Sequence, residues 1–549
     1  MRGLMQDFPL TLPHLFERAE RLFADKEVVT VTATGRERTT YGSWAERARR
    51  LGGALDALGI GADARVATFA WNTARHLELY FATPCTGRVL HTLNIRLFPE
   101  QLVYVANHAQ DEVVFVDRSL ARLLFPLVDQ FTTVKHLVVM DDGTGETPPL
   151  DGGPEVHDYE ALLADAPPAE FTVDDEQRAA SMCYTSGTTG NPKGVVYSHR
   201  STVLHTLGVM AAGTLAIDEP DRVLPIVPMF HANAWGLAHA AVAAGASLIM
   251  LGPDLTPGAV ADLIESEQVT LAAGVPTIWM GVLPELEGRD TSSLRSIVCG
   301  GSAVPRTLSE AYEAAAGLPI LQAWGMTETS PVGAVCHIKS TLDAALGDDG
   351  RAELRTTVGQ PAVGVEARIT RPESAHPTGQ LPWDGATPGE LQVRGPWIAA
   401  GYHDDPRSPE SFSADGWLRT GDIATIDPHG YIRLVDRAKD VIKSGGEWIS
   451  SVELENELMA HPHVSEAAVI GVADARWGER PVACVVLRPH TEPTAATKTA
   501  LRAFLEPRVA KWWLPDDIVF LDHIPKTSVG KFSKKDLRTQ FADYHLPTE

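Results

Sequence analysis

The chain carries the run Tyr184-Thr185-Ser186-Gly187-Thr188-Thr189-Gly190-Asn191-Pro192-Lys193-Gly194 about a third of the way along its length. A short apolar run, Ala179 to Tyr184, leads into it, and hydroxyl-bearing residues and glycines then precede a lysine. Glycine admits backbone angles that turn successive N–H groups to one side. Such a nest of amides, with hydroxyls and a point-charge ammonium beside it, suits a polyphosphate. The stretch is not a Walker A loop, because GxxxxGK[ST] cannot be laid onto it in any register. Taken alone, its GTTG reads as a surface turn. The motifs farther along the chain decide between the two.

Outward from the loop, helix and strand alternate to about residue 340. Pro13 stands where a first helical turn accepts it, and Leu15, Phe16, Ala19, Leu22 and Phe23 repeat on one helical face. Val28 to Thr32 reads as a strand. Tyr41 to Leu58 carries a second helical stripe, stopped by Gly59 and Gly61. Strand, helix and strand follow at Arg65–Ala70, Leu77–Phe81 and Val89–Leu93. This alternation predicts parallel sheets covered by helices. Thr147 to Ala169 and Lys339 to Arg355 read as surface connections. From Gly359 the texture turns to short β-rich units. The last hundred residues predict a capped helix (Ser450 with Glu453), strands near Ala467–Val472 and Ala483–Leu487, and a basic end.

Length and composition bound the function. At 549 residues more than one core is expected, and 44% apolar with 21% charged residues describes an ordinary folded chain. A net charge of −24 excludes nucleic acid or an anionic membrane as the principal partner, yet leaves room for a local cationic site. The five cysteines include no CxxC pair, which excludes a sequence-local zinc or redox site and suits a reducing, cytoplasmic setting. The first residues carry no signal-peptide pattern. Val223 to Pro253 lacks Asp, Glu, Lys and Arg, but prolines, His231, Asn233 and His239 interrupt it. It reads as a buried strand, loop, helix and strand rather than a membrane span.

Further motifs accompany the loop in order: Gly300-Gly301-Ser302-Ala303, Gln322-Ala323-Trp324-Gly325-Met326-Thr327-Glu328, Thr420-Gly421-Asp422, Arg437 with Lys439 to Trp448, and Ile524-Pro525-Lys526-Thr527-Ser528-Val529-Gly530-Lys531. Together with YTSGTTGNPKG they resemble the adenylate-forming superfamily of acyl-CoA synthetases, luciferases and peptide-synthetase adenylation domains. The resemblance runs from about Phe16 to Lys535 and is nearest to bacterial medium- and long-chain fatty acyl-CoA synthetases. It implies an α/β fold: a large N-terminal domain (1–436) of parallel-rich sheets sandwiched by helices with a β-rich subdomain, a hinge (437–440), and a small mobile α+β C-terminal domain (441–549). It also implies ATP, Mg²⁺ and CoA as cosubstrates and cofactor, a fatty acid as substrate, and a homodimer.

Carboxylate activation brings two anions together, so cations and aimed amides must cover both. The resemblance assigns Thr185, Ser186, Gly187, Thr188, Thr189, Gly190 and Lys193 to the phosphates. It places His231, Gly301, Ser302, Ala303, Gln322, Ala323, Trp324, Gly325 and Thr327 around the nucleotide. Asp422 and Arg437 take the ribose, with Lys439, Lys443 and Trp448 nearby. Thr185 and Glu328 are the magnesium ligands, and Glu328 is a hard oxygen donor of the kind Mg²⁺ prefers. Trp324 stands where the family more often has Tyr, and its indole offers a face to a purine. Lys531 is the adenylation lysine and Lys439 the hinge; Gly445, Gly446 and Glu447 face CoA. Cys183, read beside the loop, is a buried strand cysteine rather than a nucleophile.

The acyl side is read from Val227 to Trp235 and from Gly274 to Thr277. Amino-acid-activating relatives place an Asp near the start of the first stretch to hold the substrate ammonium. Here His231 and small neutral residues stand instead, which points to an apolar acyl chain. By resemblance Trp235 is the gate between ATP site and acyl tunnel, with His231 and Val275 lining it. The alternatives are a ligase for a shorter, branched, aryl or methylthio-alkyl acid, a stand-alone enzyme loading a carrier protein, a non-catalytic nucleotide-binding regulator, and a luciferase-type oxidase. The C-terminus lacks the SKL ending of a peroxisomal protein.

Overall fold

The computed structural model describes residues 1–150, 152–185, 191–371, 379–445, 447–474, 476–526, 532–544 and 546, with Glu447 described by its backbone alone. Two large sheets organise the N-terminal part. In spatial order, a seven-stranded sheet contains Glu155–Asp158, His136–Met140, Asp111–Asp117, Arg65–Phe69, Val89–Thr92, Ala179–Tyr184 and Gly194–Ser198. Every neighbouring pair is parallel except the last, which is antiparallel. A nine-stranded sheet runs from Gln360–Pro361 through Val332–Val335, Ile320–Gly325, Ser296–Cys299, Leu271–Gly274, Arg222–Pro225, Ser247–Met250 and Glu27–Thr32 to Gly35–Thr40. Its centre is parallel and its two ends are antiparallel.

Helices Leu12–Leu22, Tyr41–Ala57, Ala74–Cys85, His199–Met210 and Leu237–Ala244 lie between the two sheets and share one core with both. The first begins at a proline, as the sequence predicts. The second is capped by Thr40, whose hydroxyl accepts from Ser43 N, and its chain leaves through the positive φ of Gly59. Trp44 anchors this layer, fully buried and edge-on to Phe81. Truncating such a residue costs about 3–5 kcal/mol. Helices Pro257–Ser266 and Arg306–Ala316 cover the outer face of the nine-stranded sheet, and Pro99–Ala109 covers that of the seven-stranded one.

The β-rich part is a four-stranded antiparallel sheet, Glu366–Thr370, Gly389–Arg394, Leu418–Ile426 and Ile432–Arg437. The smaller C-terminal part holds Ile442–Ser444, Glu447–Ile449, Val464–Asp474, Gly478–Leu487 and Asp517–Phe520 in one sheet with its own core. Its helix Ser451–Met459 starts on Ser450, which accepts from Glu453 N at 3.1 Å, the cap that the sequence predicts.

Two expectations need correction. Thr147 to Ala169 is not a plain surface connection, because it contains the strand Glu155–Asp158 and the helix Tyr159–Ala164. Asp158 caps that helix, and Tyr159 is fully buried with its hydroxyl bonded to Glu78, so a Pro- and Asp-rich texture hides an anchored element. Lys339 to Arg355 does lie on the surface, but as two short helices, Ser340–Asp343 and Asp348–Leu354, with no buried residue. Val223 to Pro253 is the predicted buried strand, loop, helix and strand, and among the described residues no helix is long and apolar enough to cross a membrane.

Candidate active site

The signature loop closes the antiparallel hairpin Ala179–Tyr184 and Gly194–Ser198, whose last pair is Tyr184 with Gly194. Its neck is fixed twice: Thr185 N donates to the Lys193 carbonyl at 2.9 Å, and Lys193 N donates to Thr185 Oγ1 at 3.3 Å. Gly194 packs tightly at the neck, where a Cβ would stand 3.0 Å from the Tyr184 ring. The residues at its tip, Ser186, Gly187, Thr188, Thr189 and Gly190, lie outside the described residues. A cleft of about 140 Å³ opens beside the loop, lined by His108, Asn191, Lys193, His403, Asp405 and Arg407 among others.

The structure joins this loop to Glu328 through a residue that sequence reading missed. Lys193 Nζ lies 4.4 Å over the Tyr402 ring and 3.3 Å from Ser411 Oγ. The Tyr402 hydroxyl donates to Glu328 Oε1 at 2.7 Å. Burial, and then the Glu328 carboxylate, push the Tyr402 phenol up, which keeps its proton in place as a donor. Glu328 is itself buried, and among the described residues no cationic side chain forms an ion pair with it. A buried carboxylate of that kind fits a divalent cation. Thr327, next to it, is held by Tyr197, whose hydroxyl donates to the Thr327 carbonyl at 2.7 Å.

A second cluster surrounds Asp422, which is 4% exposed. One carboxylate oxygen accepts from Trp324 Nε1 at 3.0 Å and the other pairs with Arg437 Nε at 2.8 Å. Asp422 and Arg437 face each other across neighbouring strands, and Arg437 also donates to the Thr420 carbonyl at 3.1 Å. A carboxylate has about four lone-pair sites, so acceptor capacity remains for hydroxyls. Trp324 is a core residue here: it is 7% exposed, and a Cβ on Gly333 would come within 2.6 Å of its ring. Little of the indole face expected for a purine is open in this conformation.

A third cluster joins the turn after Ser296–Cys299 to the acyl side. Gly301 has φ +85°, and a Cβ on Gly300 would stand 2.7 Å from the Ala323 carbonyl oxygen and 3.2 Å from the Trp235 ring. Trp235 therefore lies against the glycine turn. Ser302 is exposed, Ala303 is half-buried, and Gln322 is buried with its Oε1 unbonded among the described residues. Trp235 belongs to a run of left-handed residues, with φ of 43° at Ala232, 53° at Asn233, 50° at Ala234, 58° at Trp235 and 77° at Gly236. His231 precedes this run, its N donating to the Pro228 carbonyl at 3.1 Å. Asn72, also missed, clamps the entry: its Nδ2 donates to the Pro225 and Val227 carbonyls, and its Oδ1 accepts from Met229 N at 2.7 Å.

A small cavity of about 10 Å³ is lined by Tyr197, Thr202, His205, Asn233, Gly236 and His239 among others. Burial lowers His205 to about 3 and His239 to about 4, so both imidazoles are neutral near pH 7. Val275, half-buried, caps the helix Pro276–Val282 and packs on the same core. Cys183 is buried, as expected; its thiol donates to Asn233 Oδ1 at 2.8 Å and burial pushes it up to about 11.

The remaining predicted residues belong to the C-terminal part. Lys439 stands in a turn in which Asp440 N and Val441 N both return to the Arg437 carbonyl. Lys443 and Trp448 are cross-strand partners, and Gly445, at φ +61°, donates its N–H to the Trp477 carbonyl at 2.7 Å. Among the described residues no hydrogen bond or ion pair joins these groups to the signature loop or to Glu328. Gly446, the Glu447 side chain and Lys531 lie outside the described residues; a bridge pairing Lys526 with Phe532 flanks the segment that holds Lys531. A buried polar network at the junction was not foreseen. Ser451 N donates to Asp436 Oδ2 at 2.7 Å, and Lys534 Nζ reaches Ser451 Oγ at 2.5 Å and Glu455 Oε1 at 2.7 Å.

The chain as a whole is similar to known proteins. The family model described as AMP-binding enzyme matches residues 16–403, and that of the AMP-binding enzyme C-terminal domain matches residues 453–531. A long-chain-fatty-acid–CoA ligase of Thermus thermophilus is 45% identical, over 98% of this chain and 97% of its own. A 3-methylmercaptopropionyl-CoA ligase of Ruegeria lacuscaerulensis is 43% identical, over 99% of both. The crystal structure of ATP-bound MatB from Rhodopseudomonas palustris superposes with a TM-score of 0.80 at 28% identity, covering 97% of this chain and 99% of that one.

Proposed function

The chain belongs to the AMP-binding enzyme family, and from that premise we propose that it is an acid–thiol ligase joining a medium- or long-chain fatty acid to CoA with release of AMP. The observation that carries the acyl side is the neutral lining of the small cavity bounded by Asn233 and Gly236, the residues flanking Ala234 and Trp235, where buried His205 and His239 are uncharged and the described lining includes no Asp, Glu, Lys or Arg. A substrate ammonium or second carboxylate placed there would be desolvated without a partner, at a cost of several kcal/mol. The 45% identical relative named as a long-chain-fatty-acid–CoA ligase supports the same substrate class.

In the first step a carboxylate oxygen bonds to the α-phosphorus of ATP while the α–β bridging P–O bond breaks and pyrophosphate leaves. The loop residues 185–190 with Lys193 cover the β- and γ-phosphates, and Lys531 spans the carboxylate and the α-phosphate. Asp422 and Arg437 hold the ribose; Gly301, Ser302, Ala303, Gln322, Ala323 and Trp324 bound the adenine side. Glu328 and Thr185 would hold Mg²⁺, which when bound would supply charge neutralisation for the phosphate oxygens. In the second step the CoA sulfur, having lost a proton from a thiol of pKa about 8.5, bonds to the acyl carbon and AMP leaves. We assign residues 1–436 to one domain, 437–440 to a hinge and 441–549 to a second domain. Turning about Lys439 withdraws Lys531 and brings Gly445, Gly446 and Glu447 to CoA. The protein works in the cytoplasm as a homodimer; its five buried, unpaired cysteines suit a reducing compartment.

A second reading, a methylthio-alkyl acid as substrate, is favoured by the 43% identical relative. AMP release is to be measured with ATP and Mg²⁺ over acids from acetate to palmitate, plus 3-(methylthio)propionate, benzoate and alanine, with and without CoA. CoA-dependent release that peaks at medium or long chains supports the proposal. A peak at the methylthio acid selects the second reading, and release that ignores CoA refutes both.

A further inference from the structure

The edge of the seven-stranded sheet farthest from the signature loop carries a second cluster of ligating side chains. Parallel pairing of His136–Met140 with Glu155–Asp158 sets His136 beside Glu155 and Val138 beside His157. Side chains two residues apart on a strand share a face, so His136, Glu155 and His157 all stand on one side of the sheet. His136 Nδ1 lies 3.1 Å from His157 Nε2, and Glu155 Oε2 lies 3.7 Å from the former and 3.8 Å from the latter.

We propose that His136, Glu155 and His157 form a binding site for a late first-row divalent cation, Zn²⁺ foremost, that braces the sheet edge. Bond lengths of about 2.0–2.2 Å to nitrogen and oxygen put tetrahedral ligand atoms about 3.3 Å apart. The imidazole pair already has that separation, and the carboxylate is about half an ångström too far on a side chain that is 69% exposed and free to move. Two imidazoles and one carboxylate select Zn²⁺ or its neighbours over Mg²⁺ and Ca²⁺, and three protein ligands leave the fourth position to solvent. Lys135 does not compete, because its ammonium pairs with Glu112 at 2.8 Å.

The site lies apart from the reaction. Five strand spacings, about 24 Å, separate Glu155–Asp158 from Ala179–Tyr184, which leads into the loop. Its role is structural: Glu155–Asp158 is a four-residue edge strand paired on one side only, and the helix that follows supplies Glu160 to Arg47 and Arg75. A cation shared between the two strands staples that edge.

The test uses the full-length chain stripped by chelator, without nucleotide, so that the proposed Mg²⁺ site is not loaded. Equilibrium dialysis against Zn²⁺ should retain about one ion per chain, and His157→Gln and His136→Gln should each weaken that binding at least tenfold. Co²⁺ should give the intense visible absorption of a tetrahedral site in the wild type and lose it in both variants. Zn²⁺ should slow amide exchange in residues 155–164 of the wild type alone. Unchanged AMP-forming activity in His157→Gln verifies that the variant is folded. Equal Zn²⁺ binding by wild type and variants, or only the weak absorption of octahedral Co²⁺, overturns the proposal.

Discussion

Replacing Gly325 with alanine places a Cβ 1.8 Å from the Pro331 carbonyl oxygen and 2.7 Å from the carbon that bears it. Contacts under 3.0 Å are essentially never seen for a real Cβ, so that carbonyl must retreat by more than an ångström. It is not free to do so. Met326 N donates to it at 3.3 Å, the Thr329 hydroxyl donates to it as well, and the proline ring fixes φ. Losing two hydrogen bonds costs about 1 kcal/mol each, and overpacking adds about 1–3 kcal/mol, so roughly 3–5 kcal/mol falls on the turn between Trp324 and Glu328. The substitution should therefore lower kcat/KM for ATP by more than about a hundredfold, at about 1.4 kcal/mol per decade, and lower Tm. Gly61→Ala, where nothing lies within 4 Å and φ is unstrained, should change neither. Steady-state AMP release with varied ATP, beside thermal unfolding of both variants, measures the two effects. Gly325→Ala with wild-type kcat/KM refutes the coupling of this turn to the nucleotide, even if Tm falls.

Tyr402→Phe removes the phenol that, among the described residues, donates to Glu328, and a hydrogen bond to a charged group is worth about 1.5–3 kcal/mol; kcat/KM for ATP should fall roughly tenfold to a hundredfold, and an unchanged value would remove Tyr402 from the site. Lys531→Ala should abolish acyl-adenylate formation yet leave conversion of supplied acyl-AMP to acyl-CoA intact, and equal loss of both half-reactions contradicts the role given to Lys531. Lys534→Met strands Glu455 and Asp436 without their buried ammonium, a change that costs about 3–5 kcal/mol and should show as a large drop in denaturant midpoint; Lys534→Met combined with Glu455→Gln should recover part of it, and no recovery argues against the network. Burial lifts Glu455 from the usual carboxylate range to about 7, so its protonated form stabilises the folded state below about pH 4.5 and that stability drains away as pH rises towards 7. Glu455→Gln should flatten this part of the curve of Tm against pH, and identical slopes for the two proteins would show that Glu455 does not titrate there.

What was legible in the sequence is what local pattern encodes. The stripe from Tyr41, the Ser450 cap and the charge-free segment from Val223 each appear as read, because helical period, capping and burial act over a few residues. The helix at Tyr159 was not legible, since its anchor is Glu78, 81 residues away, and its local texture is that of a loop. Tyr402 reaches Glu328 across 74 residues and Lys534 reaches Ser451 across 83. Neither aromatic nor lysine stands in a stretch whose neighbours announce a partner. Asn72 is the same case: an isolated Asn 153 residues before the first carbonyl it clamps.

The acyl side shows most directly why substrate length is not written in any one motif. A left-handed conformation costs roughly 1–2 kcal/mol for each residue other than glycine, and Ala232, Asn233, Ala234 and Trp235 adopt it in succession. Such a run persists only where surrounding contacts over-determine it. Asn72 fixes the chain just before it, Tyr80 donates to the Met229 carbonyl, and Cys183 donates to Asn233. Gly300 then leaves the space in which the Trp235 ring lies. The position of the indole is thus the joint result of groups from three distant segments, none of which announces that role on its own. The cavity bounded by Asn233 and Gly236, about 10 Å³, is at the threshold for a single water. If Trp235 gates the acyl side as proposed, the indole must turn to admit a fatty chain, and acyl length would follow from how those segments yield together.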